Sequence, residues 1–400
     1  MRRLIWLGCM SYFIIGAAHV VMGSVMEPMT DYYGREYADG GQLVFNQFSG
    51  FLAGVLGLPW IIGRLGKRKA ILLAFTLLTA AEIVYSLKPS WGWMLTIAPI
   101  AGCGFGMIEA IIGAMIIDYV RERKAAAMSR VEVFFGLGAL FIPAASGLLI
   151  VYYRWDAAFL VVAAISLLGL LLWRPVKFGE WDAQFAEERR KQGADAAASA
   201  SARYTGKEKL VLSVMAVFFF VYVGVEMSVV NFLPSMQVHQ LSMTPGAAAL
   251  SITIFWAAMS VGRMFAGTIA ERVGYANFLI VCCLGSLAAL AGFIFAARIW
   301  SSYAAILLYG LMMSGLFAIA LVFANQLLPG KTNRTTSILI ASGGIGGAAA
   351  PRMSGWLMDA AGTVYTQWVL AGLTAALLLL IAAVRLVARR RTAQVVESAA

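Results

Sequence analysis

Two glutamates and a histidine stand deep inside uninterrupted apolar runs of this 400-residue chain. Glu109 closes the stretch Gly102-Cys-Gly104-Phe-Gly106-Met-Ile-Glu109. Glu226 lies in Tyr222-Val-Gly224-Val-Glu226-Met-Ser-Val-Val-Asn231-Phe-Leu-Pro234, and His19 sits midway along the first run. An ionisable side chain in mid-bilayer costs roughly 2.5–3.5 kcal/mol on the insertion scale, so each needs a task. Low dielectric favours the neutral acid, which makes reversible proton binding the chemistry open to Glu109; the alternative is a structural pair with an arginine. His19 can relay a proton or bind a hydroxyl, or can simply be a satisfied polar residue of a bundle.

Glu226 and Asn231 offer the mixed acceptors and donors that sugar hydroxyls require. Five positions separate them, about 140° around a helix, so a shared face needs the bend that Gly224 and Pro234 permit. Asn231 serves equally well as a hydrogen bond between helices. Asn46 and Gln47 fall in the outer third of the second apolar run, where they would line a cavity mouth. Trp256 gives either a flat wall against a sugar ring or core packing. Arg263 and Arg352 also lie within apolar runs, and either could pair with Glu226 or Glu109.

These residues are positioned by membrane helices. The chain is 61% hydrophobic and 13% charged with a mean hydropathy of +0.81, so its solvent must be lipid. Apolar stretches predict twelve spans, near 4–26, 43–62, 70–87, 93–117, 131–151 and 157–173, then 210–233, 247–270, 277–297, 303–328, 337–358 and 367–387. The runs lack the alternation of a membrane barrel, so strands are not expected. The fold class is therefore all-α, with bundles over 1–173 and 210–400. A polar linker over 174–209 joins them, expected to be cytoplasmic and partly helical around 181–191.

Lys and Arg cluster in the termini, in the linker and in every second loop, whereas the intervening loops keep only Arg35, Lys88, Arg154 and Arg298. The positive-inside rule then places both termini in the cytoplasm. It also accounts for the net charge of +11 without a nucleic-acid partner. Trp91, Trp93, Trp155, Trp300 and Tyr303 fall at the outer span ends as an aromatic belt. The first span follows Met-Arg-Arg and reads as an uncleaved helix. Cys9, Cys103, Cys282 and Cys283 lie inside spans and read as packing residues. The Gly343–Gly347 and Gly102–Gly106 clusters lack a preceding strand and serve close helix approach, not nucleotide binding. No metal cluster, cofactor site or nucleophile–base pair is found, so an enzyme is not expected.

The second half of the chain repeats the first at an offset of 208. Gly136-x-Gly138-x4-Pro143-x2-Ser146-Gly147 returns as Gly344-x-Gly346-x4-Pro351-x2-Ser354-Gly355, and Arg64-x-Gly66 returns as Arg272-x-Gly274. A period this long suits two duplicated membrane halves that rock about a central site. Asp118 and Glu132 flank the basic loop 121–130 near the inner surface, where they would pair with Arg64 or Arg130 in a cytoplasmic gate.

Twelve spans in two halves, with Arg64-Leu-Gly66-Lys67-Arg68 after span two and a copy after span eight, resemble the major facilitator superfamily. Its loop signature is a glycine, an acidic residue, then Arg-x-Gly. Gly267, Glu271, Arg272 and Gly274 fit this signature, while the first copy departs at Pro59 and Gly63. The chain is most similar to the fucose–galactose–glucose:proton symporter group, especially bacterial glucose/mannose:proton symporters, through Asn46–Gly54, Ile108-Glu-Ala110, Arg130–Leu140 and Asn231-Phe-Leu-Pro234. That resemblance implies a proton-coupling glutamate, matched by Glu109. The aspartate of the fucose type is absent, with Ser24 nearest its place, which argues against fucose; glucose-type members carry a histidine like His19.

The expectation is a proton-coupled hexose symporter of the bacterial inner membrane, monomeric, with a sugar and protons as its partners besides the lipid. Glu109 and His19 would carry protons. Glu226, Asn231, Gln47, Asn46, Trp256, Arg263 and Arg352 would form the sugar site. The rival is a proton-coupled exporter of drugs or metabolites, though the adjacent Gly-Pro of many exporters is missing from 136–147. A sugar sensor without transport is a third reading, disfavoured by the short loops.

Overall fold

The computed structural model describes residues 2–119, 124–176, 204–329 and 331–397, and helix is the sole regular secondary structure among them. A chain in lipid must satisfy its backbone groups within each segment, and long apolar runs with few charges do so as helices. The first half holds α1 (Arg2–Ser24), α2 (Met26–Tyr33), α3 (Tyr37–Ser86), α4 (Trp91–Tyr119), α5 (Lys124–Val151) and α6 (Ala157–Trp173). The second holds α7 (Gly206–Leu241), α8 (Pro245–Val273), α9 (Tyr275–Ile294), α10 (Ile299–Met313), α11 (Leu316–Leu327), α12 (Thr332–Ala361) and α13 (Thr363–Glu397). The expected linker helix around 181–191 lies outside the described residues.

Twelve crossings result, although the elements do not map one to one onto the expected spans. Fifty residues of α3 would extend about 75 Å, far more than one bilayer crossing. Gly66 supplies the turn between its two crossings, at φ 76° and ψ 161°. Its repeat mate Gly274 has φ 84° and turns the chain between α8 and α9. That conformation disfavours any side chain with a β-carbon, which is why Arg-x-Gly occurs twice. Conversely, α10 and α11 divide one expected span at Ser314 and Gly315.

Among the boundaries that differ from the sequence reading, two have a clear physical reason. α7 continues eight residues past 233, because Pro234 is absorbed inside a buried segment and Ser242 (φ 51°) ends the helix instead. α5 starts at Lys124 rather than near 131, which carries Glu132 into the helix and away from the surface loop.

The repeated glycines mark where helices meet. A β-carbon on Gly138 would land on the Phe13 carbonyl of α1, and one on Gly346 would land on the Phe220 carbonyl of α7. These contacts knit each half internally. Gly136 faces Ser260 of α8 and Gly344 faces Leu52 of α3, contacts that cross from one half to the other and are themselves related by the repeat offset. Repeat mates also touch each other directly: His19 meets Met227, and Gly23 lies against Asn231. A residue in contact with its own repeat mate sits on the axis relating the two copies. α1 and α7 therefore cross on that axis, and the centre of the molecule is built around His19.

At the start of α7, Thr205 and Glu208 form a reciprocal capping box. Glu208 Oε2 accepts from the Thr205 amide at 2.8 Å and from Lys331 Nζ at 2.6 Å. Thr205→Ala removes half of this box and is expected to cost about 1 kcal/mol. The expected readout is a lowered thermal unfolding midpoint of the detergent-solubilised protein; an unchanged midpoint would show the cap to be dispensable.

Candidate functional site

His19 projects from α1 into an aromatic cage. Its ring centroid lies 5.1 Å from Phe48 of α3, 5.5 Å from Phe105 of α4 and 5.7 Å from Phe135 of α5, all edge-to-face. Nε2 sits 3.2 Å from the Met227 sulfur of α7, while Nδ1 is buried with no hydrogen-bond partner among the described residues. Phe135 also packs edge-to-face on Trp256 of α8 at 5.6 Å, so one ring bridges a histidine of the first half and a tryptophan of the second. Trp256 is 2% exposed, and its Nε1–H likewise has no partner. A buried ring nitrogen without a partner is costly, and here two of them flank the same phenylalanine.

On the terminus-bearing side of this pair lies a charged set drawn from both halves. Arg263 of α8 stands over Trp256, its guanidinium carbon 5.7 Å from the ring, and reaches Glu132 of α5 at 3.8 Å. Its charge also acts on Glu226, which is buried beside Tyr222 on α7. Glu132 in turn interacts electrostatically with Glu109 on α4. The arginine expected to pair with Glu226 or Glu109 thus makes its closest ion pair with Glu132. Glu132, expected near the surface with Arg64 or Arg130, lies within α5 and reaches Arg263 of the other half instead, its side chain still 44% exposed.

Gln47 is buried on α3, its backbone packed against Gly102 of α4. Asn46 is engaged within the first half, donating to the Leu95 carbonyl at 3.0 Å and accepting from Gln42 at 2.6 Å. Asn231 is buried at the α1–α7 crossing and donates to its own helix at the Met227 carbonyl, 2.8 Å away. Arg352 lies exposed over Phe45 at 5.8 Å, apart from both glutamates' ion pairing.

Of the expected gate residues, Arg64 stacks on Trp60 of its own helix at 4.0 Å, and Gly66 and Gly274 make the two turns. Glu271 and Arg272 are exposed, with no ion pair among the described residues. The side chain of Asp118 lies outside the described residues.

The two halves meet along one side of this site. From the end away from the chain termini inward, Gly147 meets Gly246, Thr253 donates to the Leu140 carbonyl, Gly136 meets Ser260 and Glu132 meets Arg263. Beyond Arg263, towards the termini, Gly57, Gly63 and Gly267 face open space. The halves are joined at the far end and along α5 and α8 as far as the Glu132–Arg263 pair.

Sequence reasoning passed over Glu82, although the rule that selected Glu109 applies to it. Glu82 is fully buried within the first half, and neither carboxylate oxygen has a hydrogen-bond partner among the described residues.

Comparison with known proteins defines the class. The Major Facilitator Superfamily model matches residues 8–308 and 214–400, and the chain belongs to that family. It is 27% identical over 350 residues to the glucose/mannose transporter GlcP of Bacillus subtilis (strain 168), covering 87% of this chain and 86% of that protein. Among solved structures it resembles a D-xylose-proton symporter (TM-score 0.74, 15% identity, 95% and 96% of the two chains covered). It also resembles the Escherichia coli fucose:proton symporter FucP (TM-score 0.61, 17% identity, 95% and 98% covered). At these identities the two structures share the fold with this chain.

Proposed function

We propose that this transporter is a proton-coupled hexose symporter of the bacterial inner membrane, acting as a monomer on glucose- or mannose-like sugars. The observation that carries the sugar reading is the pair of unpartnered buried nitrogens, His19 Nδ1 and Trp256 Nε1, on either side of Phe135. A hydroxylated ring supplies the missing partners, and its apolar face suits the Phe135 and Trp256 rings. The similarity to a glucose/mannose transporter supports the same reading.

The cationic loops support placing both termini in the cytoplasm, so the far end, where the halves are joined, faces outward. In the cycle, Glu109 takes a proton while the site faces out, and sugar binds between the halves near His19, Trp256, Gln47 and Glu226. The loaded protein then rocks to the inward-facing form. Arg263 is the coupling element: it pairs with Glu132 across the halves, and its charge reaches Glu226. When Glu109 is protonated, the repulsion between Glu109 and Glu132 disappears, and the Arg263–Glu132 pair strengthens as the halves move.

The test is counterflow of labelled glucose in proteoliposomes preloaded with unlabelled glucose, with mannose as competitor. Transient accumulation that mannose suppresses is expected; no counterflow combined with raised tolerance to toxic compounds on expression would favour an exporter. Trp256→Phe keeps the ring but deletes the Nε1–H, and it is expected to raise the half-saturating glucose concentration about tenfold. An unchanged value would remove Trp256 from the sugar site.

A further inference from the structure

At the end away from the termini, the two halves are joined by contacts that the transport site does not use. The first two amides of α3, those of Tyr37 and Ala38, donate to the two carboxylate oxygens of Asp359 at 3.0 and 2.6 Å. Amides in the first turn of a helix have no partner within it and attract negative charge. Asp359 belongs to α12 of the other half, so this cap exists only while the far end is closed. Beside it, the Tyr37 hydroxyl donates to Glu27 Oε2 at 2.8 Å and contacts Nε2 of His239, from the last turn of α7. That nitrogen lies 3.7 Å from Glu27 Oε1, completing a second contact between halves.

The two partners differ in exposure. The Glu27 side chain is 6% exposed, whereas that of His239 is 49% exposed and reaches solvent. Burial holds the Glu27 carboxyl above the usual carboxylate range; the hydrogen bond from Tyr37 and the His239 charge oppose this, and Asp31 on its own helix adds to it. The charged or titratable groups around the pair are Asp31 on α2, Tyr37 on α3, His239 on α7 and Asp359 on α12. Closing this end therefore buries a carboxyl and brings an imidazole to it. Burial of the Glu27 carboxyl at this junction favours its protonated form, so the closed form is strengthened in acid and loses that support as pH rises.

We propose that Asp359, Glu27, Tyr37 and His239 form an outer latch between the two halves, and that the latch takes up a proton as it closes. This rests on the alternating-access reading but not on the identity of the substrate. The same protons that drive uptake then also bias the protein against remaining open to the outside once it has closed.

The test is a spin–spin distance between Tyr152→Cys and Trp300→Cys, exposed positions at the far end of opposite halves. It is made in lipid nanodiscs at pH 5.5 and pH 8, with Cys9, Cys103, Cys282 and Cys283 replaced by alanine. The parent is expected to show a short distance in acid and an added longer population at pH 8. Asp359→Ala is expected to raise the long-to-short ratio about tenfold at both pH values, the scale of a hydrogen-bonded charge lost. Asp359 is exposed, so its truncation leaves no buried hole.

Glu27→Gln is expected to abolish the pH dependence. Unchanged distances in both Asp359→Ala and Tyr37→Phe would overturn the latch. A parent distribution that is the same at both pH values would overturn the proton uptake. The measurement needs neither sugar nor gradient, so its failure stays distinct from failure of the transport reading.

Discussion

Glu109→Gln is expected to abolish uphill accumulation of hexose while leaving exchange of hexose across the membrane intact. One positive charge carried inward gains about 2.3 kcal/mol per 100 mV, which sustains about fifty-fold accumulation. A glutamine keeps the volume and hydrogen-bonding shape of the protonated acid but cannot release the proton. The variant should therefore behave as though permanently loaded, shuttling sugar in both directions and reaching only equal concentrations. The geometry adds a second signature. Glu132 would no longer face a charge at position 109, so its pair with Arg263 should persist throughout the cycle. Glu132→Gln is then expected to slow both accumulation and exchange, because it breaks the contact between halves instead of the proton site. Full uphill uptake by Glu109→Gln would remove Glu109 from the proton route.

The second large effect concerns the repeated glycines. Gly138→Leu and Gly346→Leu are each expected to prevent accumulation of folded protein. In both cases the new side chain meets a backbone carbonyl, of Phe13 or Phe220, which cannot swing aside as a flexible side chain would. Separating α1 from α5, or α7 from α12, would also break up the axis on which His19 and Met227 meet. Overpacking in a tight interior typically costs 1–3 kcal/mol, and a collision with helix backbone lies at or above the top of that range. Gly57→Leu is the control, since nothing lies within 4 Å of the β-carbon it would carry. Size-exclusion profiles of the fluorescently tagged variants decide the matter: a monodisperse peak for Gly138→Leu would contradict the packing account, as would loss of the peak for Gly57→Leu.

Much of the architecture was legible because its signals are local. The Arg-x-Gly repeat marks turns that need positive φ at Gly66 and Gly274, and the two Gly-x-Gly runs mark close helix approach. The apolar runs gave the crossings, except where a local rule misled. The seventh apolar run stops at 233, yet the helix continues through Pro234 to Leu241, because neighbours enclose the groups that the proline frees.

The candidate site was only partly legible. Glu109, Glu226 and His19 stand out by polarity alone, but the partner of Arg263 depends on where α5 begins and how it is rotated, which hydropathy does not encode. The outer latch was missed altogether. Tyr37 and Asp359 lie 322 positions apart at helix ends, where a polar residue looks like ordinary surface until the halves are seen together.

The most direct test of the central claim is uptake of labelled glucose into proteoliposomes of the purified protein, with and without an imposed inward proton gradient. The account predicts accumulation above the external concentration only when the gradient is present, collapsing on addition of a protonophore. Entry that equilibrates to the same level with and without the gradient would contradict proton coupling and leave a facilitator.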